Sequence, residues 1–444
     1  VSAVTAGTPE VSLAGVEQQL LARWPETRMD PTLDRVALLL GLLGRPQTQF
    51  RSIHLTGTNG KTSTARMVES LLAATGSRTG RFTSPHVETM RERISLDLQP
   101  IETQRFVRCH EAVAEQAALV DAASAHPVSF FEMTVAMAYH AFADHRVDAA
   151  VVEVGMGGRW DATNVIDAEV AAILPVALDH TDYLGPTVGA IAAEKAGIIK
   201  PGSVAVSARQ PDDVAAVLRA RADAVGAELV VEGRDFALAR RSPTATGQLV
   251  SFRGLHREYD EVPLALHGAH QAQNAAVAIA AVEAFLGGPL DLGLVRSTLR
   301  QVTSPGRFEV RAGSPPVVLD VAHNPHGARA LARNLAERGP GRTIAVLAVM
   351  GDKDVAGVVR ELETVVDTVV CARNSSPRSL PAEELAALAI DVFGASRVRR
   401  ATDVSSALAV ARALADTGPG STDVVLVTGS VVTVGDACSV PTDG

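Results

Sequence analysis

Lys61 and Thr62 close a glycine-rich turn, Thr56-Gly57-Thr58-Asn59-Gly60, in a chain of 444 residues. A lysine and a hydroxyl at that spacing suit a polyphosphate and its cation. Backbone N–H groups of the turn face phosphate oxygens, the ammonium adds a point charge, and the hydroxyl reaches Mg2+. Leu55 stands where the common G-x-x-x-x-G-K-[ST] loop has its first glycine, so GTNGKT is a variant of that loop. The plain alternative is a strand-to-helix turn with an incidental lysine.

Other groups could join it. Glu153 ends the apolar run VDAAVVEV, where a carboxylate is costly unless it is paired or binds a metal. An ion pair with Arg159 is its structural alternative. His180, flanked by Asp179 and Asp182, follows a second apolar run. Imidazole is unusual on Mg2+, so a capping or core histidine fits as well. Lys195, next to Glu194 in AEKAGI, reads alone as an exposed mid-helix lysine, and Ser84-Pro85-His86 offers a hydroxyl and an imidazole. Further on, Asp320 and His323-Asn324-Pro325 follow an apolar run, and Arg307 precedes them within reach of phosphates or a base. Asn274, with Gln273, could pin an adenine or ribose, or simply bond the start of its helix.

The elements that must position these groups read as two α/β domains, 1–304 and 305–444. The first is a parallel-sheet nucleotide-binding domain and the second a smaller Rossmann-like one, with the break at Pro305-Gly306. Val1–Pro9 reads as a tail. Gly15–Trp24 and Leu33–Gly44 read as amphipathic helices ahead of the loop. After the loop, Ala65, Val68, Leu71 and Leu72 recur at helical spacing. Ser129–Phe142 places Phe130, Phe131, Met137, Ala138 and Ala141 on one helical face, and His270–Leu286 is a long helix. Phe236–Leu266 reads as a β-rich excursion. Beyond it, four units alternate strand and helix: PVVLD, TIAVL and TVVDTVVCA each lead into a helix, and the helix VSSALAVARAL leads into DVVLV.

Composition sets bounds. With 47% hydrophobic and 20% charged residues, the chain supports a sizeable core. Its 41 basic against 50 acidic residues leave a formal charge of −9, which argues against non-specific nucleic-acid binding. Anionic substrates must then be held by local cations or metals. Cys109, Cys371 and Cys438 form neither a disulfide framework nor a zinc cluster, and no apolar run reaches the length of a membrane span. The N-terminus lacks the pattern of a signal peptide. The expectation is a cytoplasmic protein with no membrane partner.

Together the segments HLTGTNGKTS (54–63), TSPH…ERI (83–94), EVGMGGRWDATN (153–164), DHTDYLG (179–185), EKAGI (194–198), SPGRFE (304–309), DVAHNP (320–325) and GDKD (351–354) resemble the folylpolyglutamate synthase/dihydrofolate synthase family of Mur-type amide ligases. The resemblance implies that Gly57, Thr58, Asn59, Gly60 and Lys61 cradle ATP and that Thr62, Ser84 and Glu153 hold one Mg2+. Glu153, His180 and Lys195 would hold a second, with Lys195 carbamylated and so converted to an oxygen ligand. Asn274, Arg307 and Asp320 match nucleotide contacts. His323 handles glutamate or an acyl phosphate at the cleft, and Lys61 and Lys195 join it as catalytic groups. Ser129, Phe130, Phe131, Trp160, Asp161 and Ala162 mark the pterin side, with Trp160 where relatives often carry an aliphatic residue.

The implied reaction is ATP-dependent ligation of L-glutamate to the carboxylate of dihydropteroate or a reduced folate, by a monomer, with a monovalent cation left open. Dihydrofolate synthesis, polyglutamate extension or both remain open, and SFFEMT and GGRWDATN favour both. One rival is a Mur ligase acting on a UDP-linked peptidoglycan precursor, although the residues ahead of the loop are too few for a separate UDP-binding domain. Another is a nucleotide-binding regulatory protein, which lacks a guanine-reading N-K-x-D here.

Overall fold

The computed structural model describes residues 12–25, 30–416, 418 and 420–440, so the expected tail Val1–Pro9 lies outside the described residues. Eight strands form the first sheet: β1 (Arg51–Thr56), β2 (Thr79–Phe82), β3 (Ile94–Leu96), β4 (Gln99–Pro100), β5 (Ala149–Glu153), β6 (Val170–Ile173), β7 (Val204–Ser207) and β8 (Glu228–Val231). Their spatial order is β4-β3-β2-β5-β1-β6-β7-β8, with β1 central. β1 runs parallel to both β5 and β6, with Leu55 opposite Glu153 and Thr56 opposite Ile173. Only β3 and β4 are antiparallel additions at the edge.

Alternation along β1 explains how the sheet is covered. Ile53 and Leu55 join a core with Val68, Leu71 and Leu72 of helix Lys61–Ala74 and with Val277 and Ala281 of helix Ala269–Leu286. On the opposite face, Ala150 and Val152 of β5 pack with Met133, Met137 and Tyr139 of helix Phe130–His145. Side chains two residues apart share a face, so a strand apolar at every position needs helices on both sides. Helix Phe130–His145 is itself buried on nearly every side. The expected single apolar face was therefore too narrow a description.

Helix Thr103–Ala123, 21 residues long, was not anticipated. Its buried positions Phe106, Cys109, His110, Val113, Ala117 and Val120 carry the three-to-four period that marks a helix. The β-rich excursion is a three-stranded antiparallel sheet, β9 (Ala237–Thr244), β10 (Gly247–Arg253) and β11 (Glu258–Leu264), in the order β11-β10-β9.

The chain then passes through Ser304–Gly306 into a six-stranded sheet: β12 (Arg307–Arg311), β13 (Val317–Asp320), β14 (Thr343–Leu347), β15 (Thr368–Cys371), β16 (Val398–Arg400) and β17 (Val424–Thr428). The order is β12-β13-β17-β14-β15-β16. β12 is antiparallel to β13 and the other pairings are parallel, so two edge strands join the four predicted from the sequence. Separate apolar clusters cover the two faces of this sheet. Among the described residues, no helix is long and apolar enough to cross a membrane.

Candidate active site between the two sheets

The glycine-rich turn leaves the C-terminal end of β1 and enters helix Lys61–Ala74 through Gly60, whose φ of 87° is left-handed. A Cβ there would stand 2.7 Å from Asn274 Oδ1, and one at Gly57 would stand 2.5 Å from Leu174 Cβ. Both glycines let neighbouring elements press directly onto the turn. Thr58 fixes it to the end of β6: its N–H donates to Pro175 O at 3.0 Å and its hydroxyl to Ala177 O at 3.0 Å. On the far side, Asn274 Nδ2 donates to Gln271 Oε1 at 3.1 Å, and Gln271 Nε2 donates to Ser63 Oγ at 3.1 Å. The buried Gln271, rather than the exposed Gln273, therefore joins this helix to the loop.

Lys61 Nζ donates to Gly57 O at 3.0 Å and Thr58 O at 3.3 Å. Lys195 Nζ donates to the same Gly57 carbonyl at 3.0 Å. Lys195 is the last residue of helix Val188–Lys195 and is only 4% exposed, so it is neither mid-helix nor solvated. Burial, reinforced by the Lys61 ammonium, lowers its pKa to about 7. The segment Gly155–Trp160 seats it. A Cβ at Gly158 would stand 2.7 Å from Glu194 O, and Arg159 N donates to Glu194 O at 2.9 Å. Gly158→Ala is therefore expected to push the end of this helix away from Gly57. The ligation that the resemblance implies should fall in the variant while ADP binding, measured by calorimetry, is kept; unchanged ligation would show that the close packing is dispensable.

Glu153 ends β5 beside Thr62. The Thr62 hydroxyl donates to Glu153 Oε1 at 3.0 Å, whereas Glu153 Oε2 is buried without a hydrogen-bond partner. Burial raises the pKa of this carboxyl. The alternative pairing with Arg159 does not form among the described residues. Ser84 follows β2, the strand on the other side of β5, and is half-buried beside a cis Ser84-Pro85 bond.

His180 takes a left-handed φ of 50° at the start of the short helix Thr181–Leu184, and burial lowers its pKa to about 4. The neighbouring Asp179 is the junction that the sequence reading left without a role. Lys353 Nζ donates to its Oδ1 at 3.2 Å and Asn324 Nδ2 to its Oδ2 at 3.0 Å, while His323 Nε2 lies 3.9 Å from Oδ2. Asn59 of the turn likewise donates to His326 Nδ1 at 2.9 Å. All four partners come from the second sheet's half of the chain. Although its own burial opposes it, Asp179 is held well below the usual carboxylate range by His180, Lys353 and His323. His323 is pushed below its ordinary value by burial, and its Nδ1–H is best assigned to the Val321 carbonyl at 3.0 Å.

Arg307 starts β12 opposite Asp320, and its guanidinium donates to Gly306 O at 3.4 Å. Asp320 accepts from Phe308 N and Ala322 N, both at 2.9 Å, and burial pushes its pKa up to about 6. Its carboxylate thus orders the β12–β13 corner.

The expected pterin-side residues divide into two groups. Ser129 caps helix Phe130–His145 by accepting from Glu132 N at 3.2 Å, and the Phe130 ring lies 4.8 Å from the Arg93 guanidinium. The Phe131 ring packs 5.8 Å from Phe82 and so close to Gly155 that a Cβ there would stand 2.5 Å from it. Trp160 is half-buried near Gly157. Asp161 instead faces inward, accepting from Met156 N at 2.8 Å, Thr163 N at 3.0 Å and Thr163 Oγ1 at 2.5 Å. Ala162 is buried beside it. These two hold the loop in shape.

Chemically, the arrangement offers two lysine amino groups, a hydroxyl with a spare buried carboxylate oxygen, and backbone N–H groups at a helix start. A second half of the chain is latched over them. Among the described residues no cluster of three or more His, Cys, Asp or Glu forms a metal cage. That is compatible with Mg2+, which usually keeps water and phosphate oxygens and takes one or two carboxylates from protein.

Comparison with known proteins gives the same outline. Residues 55–282 match the Mur ligase middle domain, and residues 306–431 match the Mur ligase glutamate ligase domain. A dihydrofolate synthase/folylpolyglutamate synthase from Mycobacterium tuberculosis is 47% identical over 459 residues, covering 97% of this chain and 94% of the relative. The solved structure of Mycobacterium tuberculosis folylpolyglutamate synthase complexed with ADP superposes with a TM-score of 0.92 at 46% identity, over 96% of this chain and 97% of that one. A bifunctional folylpolyglutamate synthase/dihydrofolate synthase from Yersinia pestis, complexed with AMPPNP and Mn ion, gives a TM-score of 0.84 at 31% identity, over 97% and 99%.

Proposed function

Because the chain belongs to the dihydrofolate synthase/folylpolyglutamate synthase family of Mur-type ligases, we propose that it joins L-glutamate to folate-type carboxylates in an ATP-driven reaction. Both dihydropteroate and reduced folates serve as acceptors in this reading. The observation that carries it is the Glu153 carboxylate, bonded through one oxygen to Thr62 and left with a buried, unpartnered oxygen at the end of a phosphate-type loop.

That donor set fits a divalent cation. Thr62, Ser84 and Glu153 would hold one Mg2+, and Glu153, His180 and Lys195 a second. Bound there, the metal neutralises the phosphate charge that develops during transfer. Burial keeps much of Lys195 as free amine near neutral pH, which is the form that adds to CO2, losing one proton, to give a carbamate. Gly57 to Lys61 take the polyphosphate, and Asn274, Arg307 and Asp320 line the nucleotide side.

In the first step an acceptor carboxylate oxygen bonds to the γ-phosphorus, the bond to the β–γ bridging oxygen breaks, and ADP leaves. In the second, the amine of glutamate attacks the acyl carbon, inorganic phosphate leaves, and the amine loses a proton. His323, held by Val321 O and facing Asp179, handles glutamate at the cleft. The exposed parts of Phe131 and Trp160 contact the pterin while Asp161 and Ser129 keep their supports in place. Residues 1–304 thus hold ATP and the acceptor, and residues 305–444 close over them to exclude water from the acyl phosphate. Every group comes from one chain, so a monomer suffices, working in the cytoplasm where these substrates meet.

The test is phosphate release by the purified protein with ATP and Mg2+, offering dihydropteroate and a reduced folate in separate reactions. Release that depends on both L-glutamate and the acceptor is expected with each. Turnover of a UDP-muramyl peptide, or hydrolysis indifferent to glutamate, would overturn the reading.

A further inference from the structure

Two neighbouring hydroxyls at the start of helix Lys61–Ala74 are spent in different directions. Thr64 bonds back to Gly60 O at 2.9 Å, the local acceptor that a helical serine or threonine commonly takes. Ser63 instead meets Ser304 Oγ at 3.0 Å, across 241 residues of chain, and neither residue is more than 5% exposed. Ser63 Oγ also accepts from Gln271 Nε2 at 3.1 Å, and Gln271 Oε1 accepts from Asn274 Nδ2 at 3.1 Å. With the Ser63 proton assigned to Ser304, the donors run in one line from Asn274 through Gln271 and Ser63.

What this line reaches is the first residue of a turn. Ser304-Pro305-Gly306-Arg307 is closed by a bond from Arg307 N to Ser304 O at 3.1 Å, and Gly306 takes a left-handed φ of 66°. Proline in the second place and a left-handed glycine in the third are the marks of a type II turn, whose ends lie within about 7 Å of each other. A Cβ on Gly306 would stand 2.9 Å from Val321 Cγ1, so the turn is pressed onto the second sheet. Pinning Ser304 to Ser63, the neighbour of Thr62, therefore also fixes where Arg307 begins. Arg307 lines a small cleft with Thr62, Arg66 and Pro85. Burial lowers its pKa, and Asp320 and Glu153 are the charges that oppose this.

We propose that Ser304 is a positioning residue for Arg307: its bond to Ser63 sets the Ser304–Arg307 turn so that the guanidinium meets the nucleotide phosphates beside Thr62. The assignment rests on Arg307 contacting the nucleotide, as in the reading above. A guanidinium is a rigid fork, so a small shift of its backbone costs most of a two-point phosphate contact. Because the same line of bonds begins at Asn274, the base side and the arginine share one support.

The test is a mutant cycle of wild type, Ser304→Ala, Arg307→Gln and the double variant. Each is titrated calorimetrically with AMPPNP in the presence of Mg2+, and thermal melting follows the fold. Ser304→Ala should weaken AMPPNP binding about threefold to tenfold, the range for one buried hydrogen bond. In the Arg307→Gln background the same change should cost less than about twofold, because the group it positions is already gone. Ser63→Ala removes the other end of the bond, so adding Ser304→Ala to it should cost little more. In steady-state ligation the KM for ATP should rise in step, while that for the acceptor stays within about twofold. Should Ser304→Ala melt below the titration temperature, Ser304→Cys, which keeps a weak donor in a similar volume, replaces it in the cycle.

An equal loss with Arg307 present or absent would make the bond a general support of the fold and overturn the assignment. Unchanged affinity in Ser304→Ala would overturn it as well. Wild-type protein that binds no AMPPNP overturns the nucleotide reading of Arg307, and this role with it. Wild-type protein that binds AMPPNP but ligates no glutamate overturns the ligase reading and leaves the cycle to decide the role of Ser304.

Discussion

Lys61→Ala is expected to reduce glutamate ligation by roughly a thousandfold, the upper range for removing one preorganised group that meets charge as it develops. The side chain is placed for that role. Its ammonium rests on the Gly57 and Thr58 carbonyls at the first turn of the helix, where the backbone N–H groups also point. Lys61 is also one of the charges that lower the pKa of Lys195. Without it, Lys195 holds its proton more tightly, so a single substitution weakens both phosphate binding and the supply of free amine. The two lysine substitutions should therefore combine non-additively. Product formation by purified Lys61→Ala measures this directly, and a near-normal rate would sink the scheme.

Lys195→Ala is expected to lose activity to a similar degree, roughly a hundredfold to a thousandfold, for a different reason. In the proposed carbamate form this side chain would supply an oxygen where a buried ammonium would repel a cation. Added formate or acetate should restore part of the rate in Lys195→Ala. Lys195→Arg, which keeps a permanent positive charge in the pocket, should gain nothing from either anion. Full activity of Lys195→Ala without added carboxylate would remove the carbamate from the mechanism. Rescue of both variants alike would point to a general salt effect.

What the sequence made legible was mostly local. Lys61 and Thr62 could be placed because a strand, a glycine turn and a helix lie within about twenty consecutive residues. Glu153 stood out as a carboxylate closing an apolar strand. By contrast, Lys195 meets Gly57 across 138 residues and Asp179 meets Lys353 across 174, and no periodicity encodes such meetings. Lys195 therefore read as an exposed lysine until the family resemblance supplied a reason to bury it.

Asp161 shows the opposite limit. The family resemblance set it on the pterin side, but three hydrogen bonds turn its side chain into the loop's own interior. Helix Thr103–Ala123 was legible and simply unread, since its buried positions keep the regular spacing.

Asp179 has a consequence for how the reaction ends. Its lone pairs are satisfied in part by Asn324 and Lys353, which belong to the half of the chain that, in the proposed reaction, moves away for products to leave. Once those donors withdraw, Oδ1 keeps the His180 N–H at 2.9 Å, and solvent must replace what Asn324 gave Oδ2. Opening the cleft and wetting it are then one event: water reaches the phosphate site as the ligated product gains its exit, after the hydrolysable intermediate has been consumed.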